Sequence, residues 1–574
     1  MLEDERLDGD GSVRQGAADE ARHSIAGAGL PGALKMVVAL APAAALAACG
    51  EGGNGGSGAG TGASSGVAVT AQAVSQVQAS RFLSQATMGA TSASIAEVVS
   101  RGYDGWLTQQ FATARTTTHW DWLVANGYNA ATNINTGNGF DATMWRGMIA
   151  DPDQLRQRVG MALLDMLVVG IGGVNLSWKA FATAAYVDVL LDNAFTNFRQ
   201  ILDGITFNAA MGSFLTFLGN RKGNAATGSQ PDENYARELM QLFTLGLYRL
   251  NMDGTTAGST PTETYTQADV SGLARVFTGL SITGSDNSTP DRLRVPLSVT
   301  ASINETGSSS FLGTTVSGGG SAAIKAALDT IFAHANVAPF VSRQLIQRLV
   351  TSNPSPAYVG RVAGVFADNG KGVRGDIQAV VRAILLDTEA RGDGGLTAQA
   401  AGKLREPVMR LTGWARAFGA TSPSAAWAIG DTSSTTTRLG QSMGRSPSVF
   451  NWFRPGYAPP NTGISAAGLV APEFQVTDEQ TVIAYVNYMQ GLVQNGTGDV
   501  TADYTDLLAR ASDSAALIDQ INLVLAAGQL SAATVSAIRA AVDSISASTT
   551  AGQQNRVYAA ILLTLASPDY LTVK

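Results

Sequence analysis

Four residues in the middle of the chain have the types and the spacing that acid–base chemistry requires. Arg237 and Glu238 follow Asn234 by one helical turn, and Asp269 stands at the start of the next predicted helix. A carboxylate held by an arginine and an amide can serve as a base, a nucleophile or a ligand, and a second carboxylate nearby would complete an acid–base pair. We therefore identify Glu238, Asp269 and Arg237 as candidate catalytic residues and Asn234 as a candidate substrate-binding residue. A buried ion network that joins the two helices fits the same residues equally well.

The element that must position these side chains is a helix predicted over residues 231–246. Ser229 is a suitable cap, Pro231 fits a first helical turn, and the acids that follow lie at the positive end of the helix dipole. Glu233 and Arg237 are four residues apart in the order that favours an ion pair along the helix. Apolar side chains gather on the other side of the helical wheel, at Tyr235, Leu239, Leu242, Phe243 and Leu247. From this pattern alone, the charged face is a solvated surface.

Two further groups of residues suit ligand binding. In the irregular stretch 447–472, Trp452, Arg454 and Tyr457 combine apolar ring faces with polar edges, which is what recognition of a sugar ring requires. Their alternative role is to cover the helical core with aromatic side chains. Arg221 precedes the predicted helix, and a cation near a helix N-terminus suits a carboxylate or phosphate group. An ordinary surface charge fits Arg221 as well.

Composition limits the classes of function. The 574-residue chain has 38 Lys and Arg against 45 Asp and Glu, a formal net charge of −7 and no clustered basic patch, which argues against nucleic acid as a partner. Three histidines and one cysteine are too few for a zinc site of the usual ligand types, so we predict no metal and no cofactor. With 45% hydrophobic and only 14% charged residues, the chain has ample material for a large buried core.

The N-terminal region has the features of an export signal. An apolar run over 36–48 is too short to span a bilayer as a helix but fits the core of a signal peptide. It ends in Leu-Ala-Ala-Cys, which resembles the bacterial lipobox. We therefore expect lipidation of Cys49 and a lipid anchor in the cell envelope, with the outer membrane preferred because Gly50 follows. A simple secretory signal is the alternative. The acidic residues of 1–35 do not suit a signal peptide, and a start codon assigned too early explains them.

Apolar spacing near 3.6 residues predicts a mainly α fold. We divide the chain into an N-terminal extension with a lipoprotein-type signal peptide (1–48), a Gly/Ser-rich tether (49–75) and one large multi-helix domain (76–574). Within the domain, residues 249–320 are rich in Gly, Ser, Thr and Asp and predict a loop-rich insertion with a few short strands, including a small hairpin. Helices are predicted over 79–87, 92–111, 144–169, 181–207, 322–334, 338–350, 356–368, 375–387, 406–418 and 477–494, with three more in the C-terminal tail.

Several blocks of sequence together indicate a family. The run Asn-Tyr-Ala-Arg-Glu-Leu-Met-Gln-Leu-Phe-Thr-Leu-Gly at 234–246, which we call the signature segment, resembles the signature of the bacterial family catalogued as domain of unknown function 1800. Further blocks follow in the family's order, with Arg-Phe-Leu at 81–83, Gln-Ala-Thr at 85–87, Tyr-Thr-Gln-Ala-Asp-Val at 265–270, Phe-Leu-Gly at 311–313, Arg-Gln-Leu at 343–345 and Asn-Trp-Phe-Arg-Pro-Gly-Tyr at 451–457. The resemblance covers residues 76–574 and implies no established reaction.

The chain departs from the family pattern at one place. Many members have His-Glu-x-Gly-x-Lys before Phe-Leu-Gly, and this chain has Asn304 and Ser309 where that pattern has its histidine and lysine. Because an amide and a hydroxyl cannot do the work of an imidazole and an amine, a site that depends on that pair would be lost or altered here.

Two hypotheses of function follow. The first is an envelope enzyme, a carboxylate-based hydrolase or lyase that acts on a polysaccharide or another surface polymer. The second is a non-catalytic helical scaffold. For the scaffold the resemblance implies a partner, because family members are often encoded beside secreted proteins that look like sulfatase relatives. A cleft onto which Arg237, Glu238 and Asp269 converge would favour the enzyme, whereas their burial in a closed network would favour the scaffold.

Overall fold

The computed structural model describes residues 73–284 and 286–574, and in this part of the chain the prediction of a mainly helical fold is confirmed. Cys49, the signal-peptide segment and most of the tether lie outside the described residues. The described residues belong to one compact unit. No helix among them is both long enough and apolar enough to cross a membrane.

The helices fall into groups on either side of the signature segment. Those before it are α1 (Gln76–Ala86), α2 (Ser92–Ala112), α3 (His119–Ala125), α4 (Phe140–Ala150), α5 (Gln154–Met166), α6 (Lys179–Asp192), α7 (Phe198–Thr206) and α8 (Ala209–Phe214). The signature segment and the insertion hold α9 (Asn234–Glu238), a π-helix (Leu239–Thr244) and α10 (Gln267–Val276).

The later helices carry the rest of the core. They are α11 (Gly320–Ala333), α12 (Val337–Leu349), α13 (Pro356–Ala367), α14 (Ile377–Leu386), α15 (Thr388–Arg391), α16 (Gly394–Thr397), α17 (Pro407–Ala417), α18 (Gly463–Ala466), α19 (Glu479–Asn495), α20 (Thr505–Arg510), α21 (Ser514–Ala526), α22 (Ala532–Asp543), α23 (Thr550–Ala566) and α24 (Pro568–Leu571). Short 3₁₀ turns lie at Ala131–Asn133, Ile171–Gly173, Asp291–Arg294 and Pro472–Val476.

The short strands pair as antiparallel two-stranded sheets. The pairs are β1 (Leu280–Ser281) with β2 (Ser298–Val299), β3 (Ser309–Phe311) with β4 (Thr314–Val316), and β5 (Lys403–Leu404) with β6 (Thr572–Val573). The second pair is the hairpin predicted in the insertion, with Ser309 opposite Val316. The third pair joins the C-terminal end of the chain to the segment that precedes α17.

Helix starts follow the capping signals in the sequence. Pro356 and Pro407 each occupy the first turn of a helix, α13 and α17, where the missing N–H costs nothing. Thr266 caps α10: its hydroxyl accepts from the N–H of Asp269, and the Asp269 carboxylate accepts from the N–H of Thr266.

Two long stretches of helical spacing each contain two helices. Within 144–169 a new helix, α5, begins at Gln154 after Asp151-Pro152, as that dipeptide predicts, because Pro152 disfavours helical geometry in the residue before it. The helix predicted over 181–207 is observed as α6 and α7. There the side chain of Asn197 accepts from the N–H of Arg199 and starts a new helix.

The core lies between helices whose apolar faces meet. α12 packs on α13 and α5, and α23 packs on α21, α19 and α22. The largest fully buried side chains include Trp106, Trp145, Trp178 and Trp414. Truncation of a buried aromatic side chain of this kind typically costs about 3–5 kcal/mol, so these side chains contribute strongly to the stability of the helical core.

The helix predicted over residues 231–246, which we call the signature helix, begins later than predicted. Its first residue is Asn234, because Asp232 is held outside the helix. The N–H of Asp232 donates to Oδ1 of Asn220 (2.9 Å), and Oδ1 of Asp232 accepts from the N–H of Asn234 (2.8 Å). Ser229 and Pro231 therefore lie before the helix, and the cap assigned to Ser229 is wrong.

The signature helix also ends differently. After Glu238 the backbone forms a π-helix over Leu239–Thr244. Its wider turn moves the following residues around the axis, so Leu247, predicted on the apolar face, lies past the helix end and is 50% exposed. Tyr235 and Phe243 are buried as predicted. π-Helical turns occur frequently at functional sites, so the end of this helix is a candidate position for such a site.

Candidate functional site

The first half of the signature segment is tied to α10 by a polar network centred on Glu233. The Glu233 carboxylate accepts from Oγ of Ser271 (2.6 Å), Nε2 of Gln267 (2.7 Å) and Nη2 of Arg237 (3.1 Å). The predicted ion pair of Glu233 and Arg237 is thus confirmed. The hydrogen bond from Ser271, with those from Gln267 and Arg237, holds the pKa of Glu233 below its usual value. Arg237 therefore pairs with Glu233 rather than with Glu238.

Glu238 keeps a carboxylate oxygen that nothing in the described chain uses. The side chain is half-buried, and its Oε2 has no hydrogen-bond partner among the described residues. Burial raises the pKa of Glu238, and the charge of Arg237 opposes that rise. A raised pKa favours the protonated form, which can donate a proton. Glu238 does not line the cleft described below.

The carboxylate of Asp269 is fully engaged in hydrogen bonds that hold the fold together. Its Oδ2 accepts from the N–H of Thr266 (2.7 Å) and from the Thr266 hydroxyl (2.7 Å), and its Oδ1 accepts from the N–H of Leu312 (2.6 Å). Burial acts to raise the pKa of Asp269, but these hydrogen bonds prevail and hold it below its usual value. The carboxylate thus caps α10 and attaches the β3–β4 hairpin to it.

Asn234 and Arg221 lie at the surface near the start of the signature helix. The Asn234 amide donates only a long bond, 3.4 Å, to Oγ1 of Thr216. Arg221 is exposed and makes no ion pair with another described residue. Its neighbour Asn220 is buried and donates from Nδ2 to the carbonyl of Asp232 (3.0 Å). The loop is therefore fixed by Asn220 while the Arg221 side chain extends into solvent.

The remaining predicted binding residues lie on the loop over residues 447–457, which we call the aromatic loop. Trp452 and Tyr457 are half-buried and Arg454 is exposed, with its guanidinium 4.5 Å from the centre of the Phe450 ring. The indole N–H of Trp452 donates to the carbonyl of Ser442 (3.2 Å). The loop thus covers part of the core and still leaves one cation and two ring edges at the surface.

The two positions that differ from the family pattern are both buried. Nδ2 of Asn304 donates to the carbonyl of Thr278 (2.7 Å), and its Oδ1 accepts from the N–H of Gly320 (2.7 Å). Asn304 therefore joins the end of α10 to the start of α11. Ser309 is 4% exposed and begins strand β3. In this chain both positions are therefore part of the buried structure and do not face solvent.

Sequence reasoning missed a cluster of charged residues inside the helical core. We call it the buried charge cluster; its members are Arg158, Asp165, Arg348, Lys403, Glu406 and Glu473, each at most 6% exposed. Nζ of Lys403 lies 2.9 Å from the Glu473 carboxylate and 3.6 Å from that of Glu406, and it donates to the carbonyl of Arg348 (2.8 Å). One lysine thus joins two acids and a helix C-terminus.

The cluster leaves several buried polar atoms without a partner among the described residues. They are Oδ2 of Asp165, Oε1 of Glu406, Nε of Arg158 and Nε of Arg348. Burial and the nearby charge of Glu406 raise the pKa of Asp165 to about 8, against the effect of Arg348, Lys403 and Arg158. Burial likewise raises the pKa of Glu473. The signal available in the sequence was Asp165 within the otherwise apolar stretch 161–174.

A cleft next to this cluster is formed where three of the family's sequence blocks meet. We call it the Arg343 cleft; its volume is about 240 Å³, and it is lined by Leu245, Gly246, Leu247, Tyr248, Leu250, Thr256, Phe340, Arg343, Gln344, Gln347, Pro455 and Gly456. The end of the signature segment, the Arg-Gln-Leu block and the aromatic loop all contribute to it. The described residues of its lining include no carboxylate, histidine or cysteine side chain, so the cleft suits binding better than acid–base catalysis.

Gly246 shapes this cleft. Its φ of +75° is one that residues with a side chain adopt at a cost. A Cβ at this position would lie 2.9 Å from two ring atoms of Phe340, closer than carbon atoms normally approach. The last glycine of the signature segment is therefore required both by the turn after the π-helix and by the approach of Phe340.

The floor of the cleft is connected to the buried charge cluster. Arg348 donates to Oε1 of Gln344, and its Nη2 donates to the carbonyl of Asp165 (3.1 Å). Nε2 of Gln347 donates to the carbonyl of Ser352 (2.9 Å) and is 3.5 Å from that of Pro455. Arg348 of the cluster therefore fixes the Gln344 amide, and the carbonyls of Ser352 and Pro455 hold that of Gln347.

The described residues contain no group of three or more His, Cys, Asp and Glu side chains that could hold a metal ion. The family described as "Protein of unknown function (DUF1800)" matches residues 81–572 of the chain. No curated protein and no solved structure matches it.

Proposed function

The chain belongs to the DUF1800 family, whose function is unknown, and from that premise we propose that it is a non-catalytic scaffold of the cell envelope that holds a surface polymer or a partner protein. One observation carries the proposal: the carboxylates of Glu238 and Asp269 are not among the described residues that line the Arg343 cleft, and that described lining contains no acid. Asp269 serves as a helix cap, and Arg237 belongs to the Glu233 network.

The envelope location rests on the sequence around Cys49. The apolar run before it and the Leu-Ala-Ala-Cys ending support export and lipidation. We expect labelled palmitate to be incorporated into the wild-type chain and the chain to fractionate with membranes. Cys49→Ser should abolish both. Membrane fractionation that persists without label in the Cys49→Ser variant would contradict the anchor.

The partner class rests on the family resemblance. A secreted sulfatase-like protein encoded beside the chain is the candidate partner protein, and a polysaccharide is the candidate polymer. We expect one of the two to co-purify with the chain from envelope extracts. Recovery of neither would contradict the scaffold.

One observation favours a second candidate function, a carboxylate-based hydrolase or lyase. Oε2 of Glu238 is buried without a partner among the described residues, and burial raises the pKa of this group. Both properties occur in general acids. Asn234 and Arg221 at the start of the same helix would then contact substrate, and Asp269 would need to leave its capping position to take part.

A comparison of three proteins separates the two functions. The wild type, Glu238→Gln and Glu233→Gln are each tested for turnover of a polysaccharide panel and for thermal stability. The scaffold predicts no turnover by any of them, with a lower melting temperature for Glu233→Gln, since Glu233 accepts three hydrogen bonds. Turnover by the wild type that is lost in Glu238→Gln, with melting unchanged, would establish the enzyme instead.

A further inference from the structure

Several N–H groups in the Arg343 cleft have no hydrogen-bond acceptor among the described residues. Of the five N–H groups of Arg343, one donates to the carbonyl of Gly254 at a long distance, 3.4 Å. Arg343 forms no ion pair with any described residue. Gln344 is 8% exposed, and its Oε1 accepts from Arg348, whereas its Nε2 has no acceptor among the described residues. This amide N–H is therefore free to donate to a ligand oxygen in the cleft.

The acids near the cleft do not neutralise Arg343. Asp253 precedes the glycine that Arg343 contacts, but its Oδ1 accepts from the N–H of Thr255 (3.0 Å) and from the Thr255 hydroxyl (2.6 Å). Glu263 is exposed and lies across a backbone bridge from Tyr248. Among the described residues that line the cleft, Arg343 is thus the one with a charged side chain, which matches a ligand group with a single negative charge.

The walls of the cleft are apolar and partly aromatic. Tyr248 is 46% exposed and Leu247 is 50% exposed, so both side chains present apolar surface to solvent at the cleft. Phe340 and Pro455 form the other walls. The volume of about 240 Å³ lies below the range of pockets that enclose a whole drug-sized ligand, so the cleft suits one ring-sized group.

We propose that the Arg343 cleft binds a uronic acid residue of an acidic polysaccharide. The guanidinium of Arg343 pairs with the sugar carboxylate, for which its planar fork of donors is well shaped. The Gln344 amide donates to a ring hydroxyl, and the face of the sugar ring packs on Tyr248. This assignment rests on the proposed function, since it names the polymer that the scaffold holds.

The test is calorimetric titration of the purified chain with trigalacturonate and with its neutral methyl ester. We expect binding of the acid that weakens as salt increases, and at least about tenfold weaker binding of the ester. Arg343→Gln should lose at least about tenfold in affinity for the acid, and Tyr248→Ala should lose affinity for both ligands. Arg539→Gln, an exposed arginine of another helix with a long ion pair to Asp543, is the matched control and should bind as the wild type does.

Each other outcome overturns the proposal. These are no binding of trigalacturonate at millimolar concentration, equal binding of acid and ester, or unchanged binding by an Arg343→Gln variant whose melting temperature equals that of the wild type. Tighter binding of a sulfated trisaccharide would replace the carboxylate by a sulfate ester as the ligand group. Failure of the scaffold is a separate result, because turnover of a polymer by the wild type would contradict the scaffold even if trigalacturonate binds at Arg343.

Discussion

Nδ2 of Asn451 donates a 2.5 Å hydrogen bond to Oδ1 of Asp165 and so fixes the aromatic loop to the buried charge cluster. Asn451 is 8% exposed and has a φ of +57°, a conformation that asparagine tolerates better than most residues. The loop that carries Trp452, Arg454 and Tyr457 is therefore positioned from inside the core.

Asn451→Ala should destabilise the chain. The substitution removes the described partner of a buried carboxylate oxygen, and we expect a loss of about 1–3 kcal/mol in the free energy of unfolding, measured by denaturant titration. Asn461→Ala is the matched control, because Asn461 has a φ of +58° in the same loop region but is exposed. An equal loss in the two variants would show that backbone conformation, and not the bond to Asp165, explains the effect.

Lys403→Met should be among the most destabilising single substitutions in the chain. It leaves the carboxylates of Glu473 and Glu406 buried without their shared cation, and removing one member of a buried ion pair typically costs about 3–5 kcal/mol. The double variant Lys403→Met with Glu473→Gln should recover part of that loss. Arg510→Met, which breaks an exposed pair with Asp506, should cost at most about 1 kcal/mol. Equal costs for the two methionine variants would contradict the role given to the cluster.

Asp165 should make stability depend on pH. Its folded pKa of about 8 is above the value near 3.9 of an unfolded aspartate, so the folded state holds the proton more tightly. The contribution of this group to the free energy of unfolding is therefore largest below pH 4 and falls as pH rises to about 8.

The measurement for Asp165 is the difference in unfolding free energy between the wild type and Asp165→Asn at several pH values. We expect this difference to change by at least about 1.4 kcal/mol between pH 5 and pH 9, in the direction that makes the wild type relatively weaker at high pH. The exposed Asp519, replaced by asparagine, serves as the comparison for the loss of one carboxylate at the surface. A flat difference for Asp165→Asn would show that its pKa is not raised.

Gly246→Ala should destabilise the chain more than Gly219→Ala does. Both glycines have φ near +75°, but a Cβ at Gly246 would meet Phe340 whereas a Cβ at Gly219 meets nothing within 4 Å. The difference in unfolding free energy should be about 1–3 kcal/mol, the usual cost of overpacking. No difference would mean that Phe340 can move aside, and the Arg343 cleft would then not depend on this glycine.

The local features of this chain are predictable from sequence because neighbours in the chain decide them. The ion pair of Glu233 and Arg237 follows from their spacing, and the cap formed by Thr266 and Asp269 follows from residue types three positions apart. The residue at which the signature helix starts is not decided by its neighbours in the chain. It depends on Asn220, which binds Asp232 and keeps it out of the helix.

The candidate site could be predicted only in part. The sequence blocks that line the Arg343 cleft were visible, but their roles were not, since the cleft forms only when residues 245–248, α12 and the aromatic loop come together. The buried charge cluster escaped prediction for the same reason: charged residues usually lie at the surface, and only a partner far along the chain makes their burial favourable.

The sequence by itself determined the helical class, the family and the residue types available for binding, because periodicity, capping and motif spacing are properties of neighbouring residues. Only the tertiary structure decided which polar groups have partners. It joined Asp269 to the N–H of Leu312 and Glu233 to the hydroxyl of Ser271, and it left Arg343 in a cleft whose described lining holds no acid, because those arrangements depend on contacts between residues distant in the chain.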